Sequence, residues 1–239
     1  AGFDKLYGDS GDDYLKGHAG EDILYGGKGK DYLRGGEDND KLYGESSSDR
    51  LYGEDGDDEL YGGTSADKLY GGIGNDKLYG DSSADKLYGQ DGDDYLSGGS
   101  SKDTLSGGNG DDELHGGTSA DKLYGGAGFD KLYGDSGDDY LKGHSGDDIL
   151  YGGEDDDYLR GGDDRDYLYG ESGDDLLKGE DGDDELVGGT GKDDLYGGKG
   201  NDRFVLTAGS GYDRIRYFKK GEDRVCLLYT SDAADEMDG

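Results

Sequence analysis

The chain has 239 residues, 60 of them acidic against 25 basic, for a formal charge of −35, and only 29% are hydrophobic. So acidic a polymer repels nucleic acid and anionic membranes, and neither is expected as a partner. The single cysteine, Cys226, excludes a disulfide framework, and no apolar run reaches the length of a transmembrane segment.

Read from its start, the chain is one short unit repeated. Ala1–Asp4 has the form of the back half of such a unit, so the chain is expected to begin inside a longer array. From Leu6 to Leu195 leucine recurs at every ninth residue, each two residues after an aspartate and two before a glycine, and Phe204 takes the next slot. Repetition at a fixed period marks a solenoid, in which each unit buries its apolar side only by stacking on neighbours. Nine residues are too few for a helical hairpin, so the unit must be a strand and a turn. In Lys77-Leu78-Tyr79 and its equivalents the leucine points inward and its neighbours outward, because the faces of a strand alternate. The Gly-rich segment that follows is expected to reverse the chain. Two units then form one turn, with odd and even leucines on two facing sheets, and about eleven turns stack into a rod roughly 50 to 55 Å long.

The dominant unit reads GGxGxDxLx, clearest at Gly71-Gly72-Ile73-Gly74-Asn75-Asp76-Lys77-Leu78-Tyr79 and at Gly197-Gly198-Lys199-Gly200-Asn201-Asp202-Arg203-Phe204-Val205. It resembles the nonapeptide of the RTX (repeats-in-toxin), or hemolysin-type calcium-binding, family. The resemblance implies an all-β fold, a right-handed parallel β-roll, with calcium in its Gly/Asp turns. It also implies a secreted, extracellular protein that leaves the cell unfolded through a type I secretion apparatus.

The residues argue for the metal independently. With 53 glycines and so few apolar residues, the chain falls among disordered polypeptides unless its charge is neutralised. Stacking brings same-side aspartates such as Asp58, Asp76 and Asp94 to adjacent levels, where like charges repel. A divalent cation between levels reverses that sign. Calcium accepts six to eight hard oxygen ligands in a tolerant geometry, whereas magnesium demands a tight octahedron. The expected ligands are Asp4, Asp13, Asp22, Asp31, Asp40, Asp58, Asp76, Asp94, Asp112, Asp130, Asp139, Asp148, Asp157, Asp166, Asp175, Asp184, Asp193 and Asp202, with backbone carbonyls of the glycine loops. Pairs of these aspartates in successive turns allow at most 21 calcium ions.

The two edges of the rod differ. At the third glycine of the unit one edge carries Ser47, Ser65, Ser83, Ser101 and Ser119 in succession, while the other keeps Gly56, Gly74, Gly92, Gly110 and Gly128. If that position needs φ > 0, serine is strained there. Asp49, Asp67, Asp85, Asp103 and Asp121 are therefore expected to be weaker calcium ligands. The second glycine is replaced by Asp9, His18, Glu45, Glu54, Asp81, Gln90, Asp135, His144, Glu171 and Glu180, read as tolerated surface variation. Residues 1 to 72 recur closely at 127 to 198, as expected of an array grown by duplication.

Tyr7, Tyr25, Tyr43, Tyr61 and Tyr79, then Tyr133, Tyr151 and Tyr169, are expected to form an outward ladder broken at Ser97, His115 and Val187. Such a strip stabilises a sheet; as an exposed aromatic surface it would also suit a polysaccharide or cell-surface ligand. His18, His115 and His144 lie at distant repeat positions and no HExxH or GxSxG occurs, so no catalytic role is expected. The C-terminal segment 204–228 resembles the flank that follows RTX arrays, through Gly211, Asp213, Ile215, Phe218, Gly221, Asp223, Val225 and Leu227, and is expected to cap residues 1–203. Cys226–Glu236, CLLYTSDAADE, fits neither pattern and resembles a translated sequencing adapter, so residues 229–239 are expected to be a non-native or disordered tail. The sequence therefore points to a calcium-dependent folding, export and spacer module. An adhesive rod and an accessory array of a secreted enzyme or toxin are the alternatives.

Overall fold

Residues 2–207 and 211–228 are described by the computed structural model, as strands joined by tight turns with no helix among them. Consecutive strands alternate between two parallel sheets of 13 and 12 strands. Register follows the repeat: Leu78 pairs with Leu60 on one side and Leu96 on the other. The protein is thus an all-β parallel solenoid, as the nine-residue period requires.

The strands are longer than the three residues expected. Lys77–Ser82 and Lys86–Asp91 have six residues each, and only Ser83, Ala84 and Asp85 turn the chain between them. Pairing continues through the glycines, with Gln90 opposite Gly72 and Gly108, because a ladder uses backbone groups that glycine supplies as well as any residue. Along each unit the inward positions are aspartate, leucine and the first glycine, as at Asp76, Leu78 and Gly80. Every repeat leucine from Leu24 to Leu195, and Phe204 after them, has no exposed surface. Leu6 and Leu15, in the first turn, are only partly covered.

The replacements at the second glycine are not free variation. Asp9, His18, Glu45, Glu54, Asp81, Gln90, Asp135, His144, Glu171 and Glu180 all take φ between 64° and 94°, and each is followed one turn later by glycine. The reason is steric: a Cβ on Gly27 would lie 2.5 Å from the carbonyl oxygen of Asp9, and one on Gly72 would overlap that of Glu54. A side chain here excludes a side chain in the next turn.

Tyrosine rings stack along the first sheet at centroid spacings of 4.9 to 5.1 Å from Tyr7 to Tyr79. The expected breaks at Ser97 and His115 do not occur. Tyr95, on the other side of Leu96, bridges Tyr79 at 5.8 Å to His115 at 5.5 Å, and His115 stacks on Tyr133 at 4.5 Å. The ring faces are turned toward one another, so the column stabilises the sheet and offers edges and hydroxyls outward instead of a flat platform.

The C-terminal segment lengthens the solenoid. Phe204 pairs with Leu186 and Val225, and Ile215 with Leu195, which covers the last repeat leucine. Among the described residues Val225, Leu227 and Leu228 stay about half exposed at this end. The strand Arg224–Leu228 includes Cys226, paired with Val205, although the sequence had set these residues apart. The expectation for the tail falls on 229–239, which lie outside the described residues.

Chemical denaturation should separate centre from end: Leu96→Ala is expected to cost about 2 to 5 kcal/mol and Leu6→Ala far less. In the same assay Gly72→Ala should be strongly destabilising while Glu54→Gly is tolerated.

Candidate metal centre

Each turn places one aspartate at each edge of the core, and these line up in two columns. The backbone N–H of Asp58 donates to Oδ1 of Asp76 at 2.8 Å, Asp76 to Asp94 at 2.8 Å, and Asp94 to Asp112 at 2.8 Å. On the other edge Asp49 donates to Asp67 and Asp67 to Asp85, both at 2.7 Å. One column runs from Asp4 and the other from Asp13, without a gap.

The second carboxylate oxygen has no such partner. At every repeat aspartate from Asp13 to Asp202, Oδ2 is buried without a hydrogen bond. Each faces the bare Cα of the first glycine of its own unit, five residues earlier. A Cβ on Gly80 would stand 2.7 Å from Oδ2 of Asp85 and 2.7 Å from the carbonyl oxygen of Gly98. That glycine is required for space, since it leaves room for a carboxylate and a carbonyl where another residue would put a methyl group.

A buried carboxylate lacking half its partners resists ionisation. Burial pushes Asp58 up from an ordinary value of 3.8 to about 7, Asp76 to about 8 and Asp166 to about 9. The donated N–H pulls the other way, and neighbouring aspartates of the column add to the rise. Asp49, Asp67, Asp85, Asp103 and Asp121 behave alike, at about 6 to 8.

Of the sequence-predicted ligands, those from Asp22 to Asp202 are buried in the columns, Asp13 is half-buried, and Asp4 is exposed in the first turn. Asp213 and Asp223 were read only as parts of a cap, yet they extend the columns: Asp193 N–H donates to Asp213 Oδ1 at 3.3 Å and Asp202 N–H to Asp223 Oδ1 at 3.4 Å. Their signal was present as Gly211-Tyr212-Asp213 and Gly221-Glu222-Asp223, masked by a spacing longer than the repeat. Among the described residues no three carboxylate, imidazole or thiol groups converge as a metal site. A cation here must draw on backbone carbonyls as well as aspartate, an all-oxygen set that suits calcium.

The strain anticipated at the third glycine is present. Ser47, Ser65, Ser83, Ser101 and Ser119 have φ of 81° to 89°. On the opposite edge Gly56, Gly74, Gly92, Gly110 and Gly128 each donate an N–H to a carbonyl one turn on, at 2.8 to 3.0 Å. Of the five serines only Ser119 makes that bond, to Ser136 at 2.7 Å. Four of the five serine loops thus carry a Cβ without this bond between turns, and the last, at Ser119, keeps it.

This arrangement matches a known repeat. Overlapping windows from 1–33 to 169–204, together continuous, match the RTX calcium-binding nonapeptide repeat. The chain belongs to this family. No curated protein matches it. The RTX β-roll is a structural repeat fold; in this chain the buried Oδ2 atoms and the glycine carbonyls beside them are the oxygen donors that would be offered to a calcium ion. When bound, calcium would supply positive charge to offset the buried carboxylates.

Opposite pH responses follow. In the metal-free roll the raised carboxyls hold protons more tightly than in the unfolded chain, so their contribution is complete below pH about 4 and is lost as pH rises through roughly 6 to 9. In calcium the ionised form is required, so stability should fall as pH falls. Followed by circular dichroism as pH falls from about 9 to about 4, β signal should rise in chelator, while stability in calcium should decline. Asp94→Asn should ease folding in chelator while weakening the response to calcium.

Proposed function

We propose that this RTX roll is a calcium-operated folding module of a secreted protein, disordered where calcium is scarce and a rod where it is millimolar. It would pass unfolded through a type I secretion apparatus and then serve as folding, export and spacer element outside the cell. The observation that carries this reading is the unpartnered Oδ2 at every repeat aspartate from Asp13 to Asp202. Packing an ionised carboxylate into the core is unfavourable without a counter-ion, and here the cost recurs in every turn. Each ion bound at ten to a hundred times its dissociation constant contributes about 1.4 to 2.7 kcal/mol. Because each turn contacts only its neighbours, such increments add along the rod and switch it as a whole.

Asp49, Asp67, Asp85, Asp103 and Asp121 are the weaker set of sites in this proposal. Its carboxylates are buried as elsewhere, but Ser47, Ser65, Ser83 and Ser101 lack the bond that holds the opposite loops together. Adhesion through the tyrosine ladder has less support, since a sugar packs against a ring face and these faces cover each other. An accessory array of a secreted enzyme or toxin is the same module in a longer protein.

Far-ultraviolet circular dichroism during a calcium titration, with magnesium as control, tests the switch. The expected result is a cooperative gain of β signal with calcium alone; full β signal at neutral pH in chelator would refute it. Ser83→Gly with Ser101→Gly should lower the calcium concentration needed.

A further inference from the structure

The serine edge also carries a row of basic side chains that the roll leaves without partners. Arg50, Lys68 and Lys86 stand in register on successive strands, Lys122 follows after Thr104, and Lys102 occupies the loop before that threonine. None of these side chains, nor that of Lys30, makes an ion pair or hydrogen bond among the described residues. Several other cations pair with carboxylates, as in Arg34–Glu54, Lys41–Glu59, Arg160–Glu180 and Arg203–Glu185; single lysines such as Lys16, Lys77 and Lys142 make no ion pair either, but they do not form a row of this length. Like charges opposite one another on adjacent strands are unfavourable, and in a chain of net charge −35 an unneutralised row is conspicuous.

The loops beside the row have been cleared of exposed acid. They read Ser46-Ser47-Ser48, Thr64-Ser65-Ala66, Ser82-Ser83-Ala84, Ser100-Ser101-Lys102 and Thr118-Ser119-Ala120, and the aspartate after each is buried. Over the same turns the opposite edge carries acid in three of its five loops, Asp55-Gly56-Asp57, Asp91-Gly92-Asp93 and Asn109-Gly110-Asp111, and none in Ile73-Gly74-Asn75 and Ala127-Gly128-Phe129. Glu45 and Asp81 precede the serine loops, but on strands of the other sheet. At the start of the row a cavity of about 350 Å³ is lined by Lys30, Tyr32, Ser48, Arg50, Ala66 and Lys68, above Asp31 and Asp49.

We propose that this edge binds a linear acidic polysaccharide, its carboxylate or sulfate groups pairing with the row of Arg50, Lys68, Lys86, Lys102 and Lys122 and its hydroxyls with the serine loops. A straight row of single charges, one per strand level, fits an extended polyanion lying along the rod. An anionic membrane fits poorly, because the strip's only apolar side chains are alanines, too small to insert, and a broad charged surface would also meet the acidic remainder of the rod. Single-stranded nucleic acid would seek ring faces on which to stack, and Tyr52, Tyr70 and Tyr88 beside the row already stack on one another. The proposal rests on the roll being folded in calcium.

The test is binding of dextran sulfate to the full chain in calcium by isothermal titration calorimetry, with uncharged dextran and phosphatidylglycerol vesicles as comparisons. Dextran sulfate alone should bind, with an affinity that falls as salt rises. The triple variant Arg50→Gln, Lys68→Gln, Lys86→Gln should weaken binding at least about tenfold, whereas Lys5→Gln, Lys41→Gln, Lys131→Gln on the other sheet should change it less than about twofold. Should the first triple variant lose its β signal, Lys86→Gln alone carries the test, with a loss of about threefold. Equal affinity in the variants of the row, no binding by the folded chain, or binding to vesicles in place of the polysaccharide would each overturn the proposal. Circular dichroism of the same samples separates the two readings: a roll already folded in chelator refutes only the calcium switch, and a chain without β signal in calcium refutes both.

Discussion

The structure depends on a carboxylate buried in every half-turn. A solenoid with one leucine per strand has a narrow core, and in each layer its two ends are occupied by aspartate facing glycine instead of by apolar side chains. One oxygen of each carboxylate takes part in a hydrogen-bonded column with the backbone of the neighbouring turn, and that half of the group stabilises the stack. The other oxygen has nothing. A fold built this way is complete only when something positive, a metal ion or a proton, meets that oxygen. Stability therefore becomes a function of the surroundings.

The same tightness governs the outer positions. Stacked turns bring the carbonyl oxygen of one loop to where the next loop would carry a Cβ, so a side chain at the second glycine is admitted only above a glycine. At the third glycine the serine edge carries a Cβ in five successive loops, and four of them lack the loop N–H bond to the next turn. That edge is less tightly tied, and its five serine loops are richer in hydroxyls and carry no exposed acid of their own, next to a line of unpaired cations. Two edges with nearly the same buried aspartates thus present opposite surfaces, and the difference lies in the residues that the core does not constrain.

Much of this was legible beforehand because the repeat is short and almost unbroken. The period of Leu6 to Leu195 forces a strand-and-turn solenoid, and the aspartate two residues earlier must then form columns. Other features needed neighbours in space. That Asp213 and Asp223 continue the columns depends on how far the loops before them bulge, which altered spacing conceals. Tyr95 and His115 close a gap in the tyrosine ladder because a side chain on one side of Leu96 can lean to the other, and a row-by-row reading keeps those sides apart.

By itself the sequence determined the class of fold, the register and the identity of the buried acid, since a period of nine with one apolar residue per unit leaves a single way to exclude water. Only the tertiary structure decided why each glycine is there. The first makes room for a carboxylate and the second avoids a carbonyl one turn away, and the exchange of the third for serine costs a bond between turns. Those reasons are contacts with a carboxylate five residues on and with carbonyls a full turn away, and a linear pattern records that a small residue is present without recording what it would have struck.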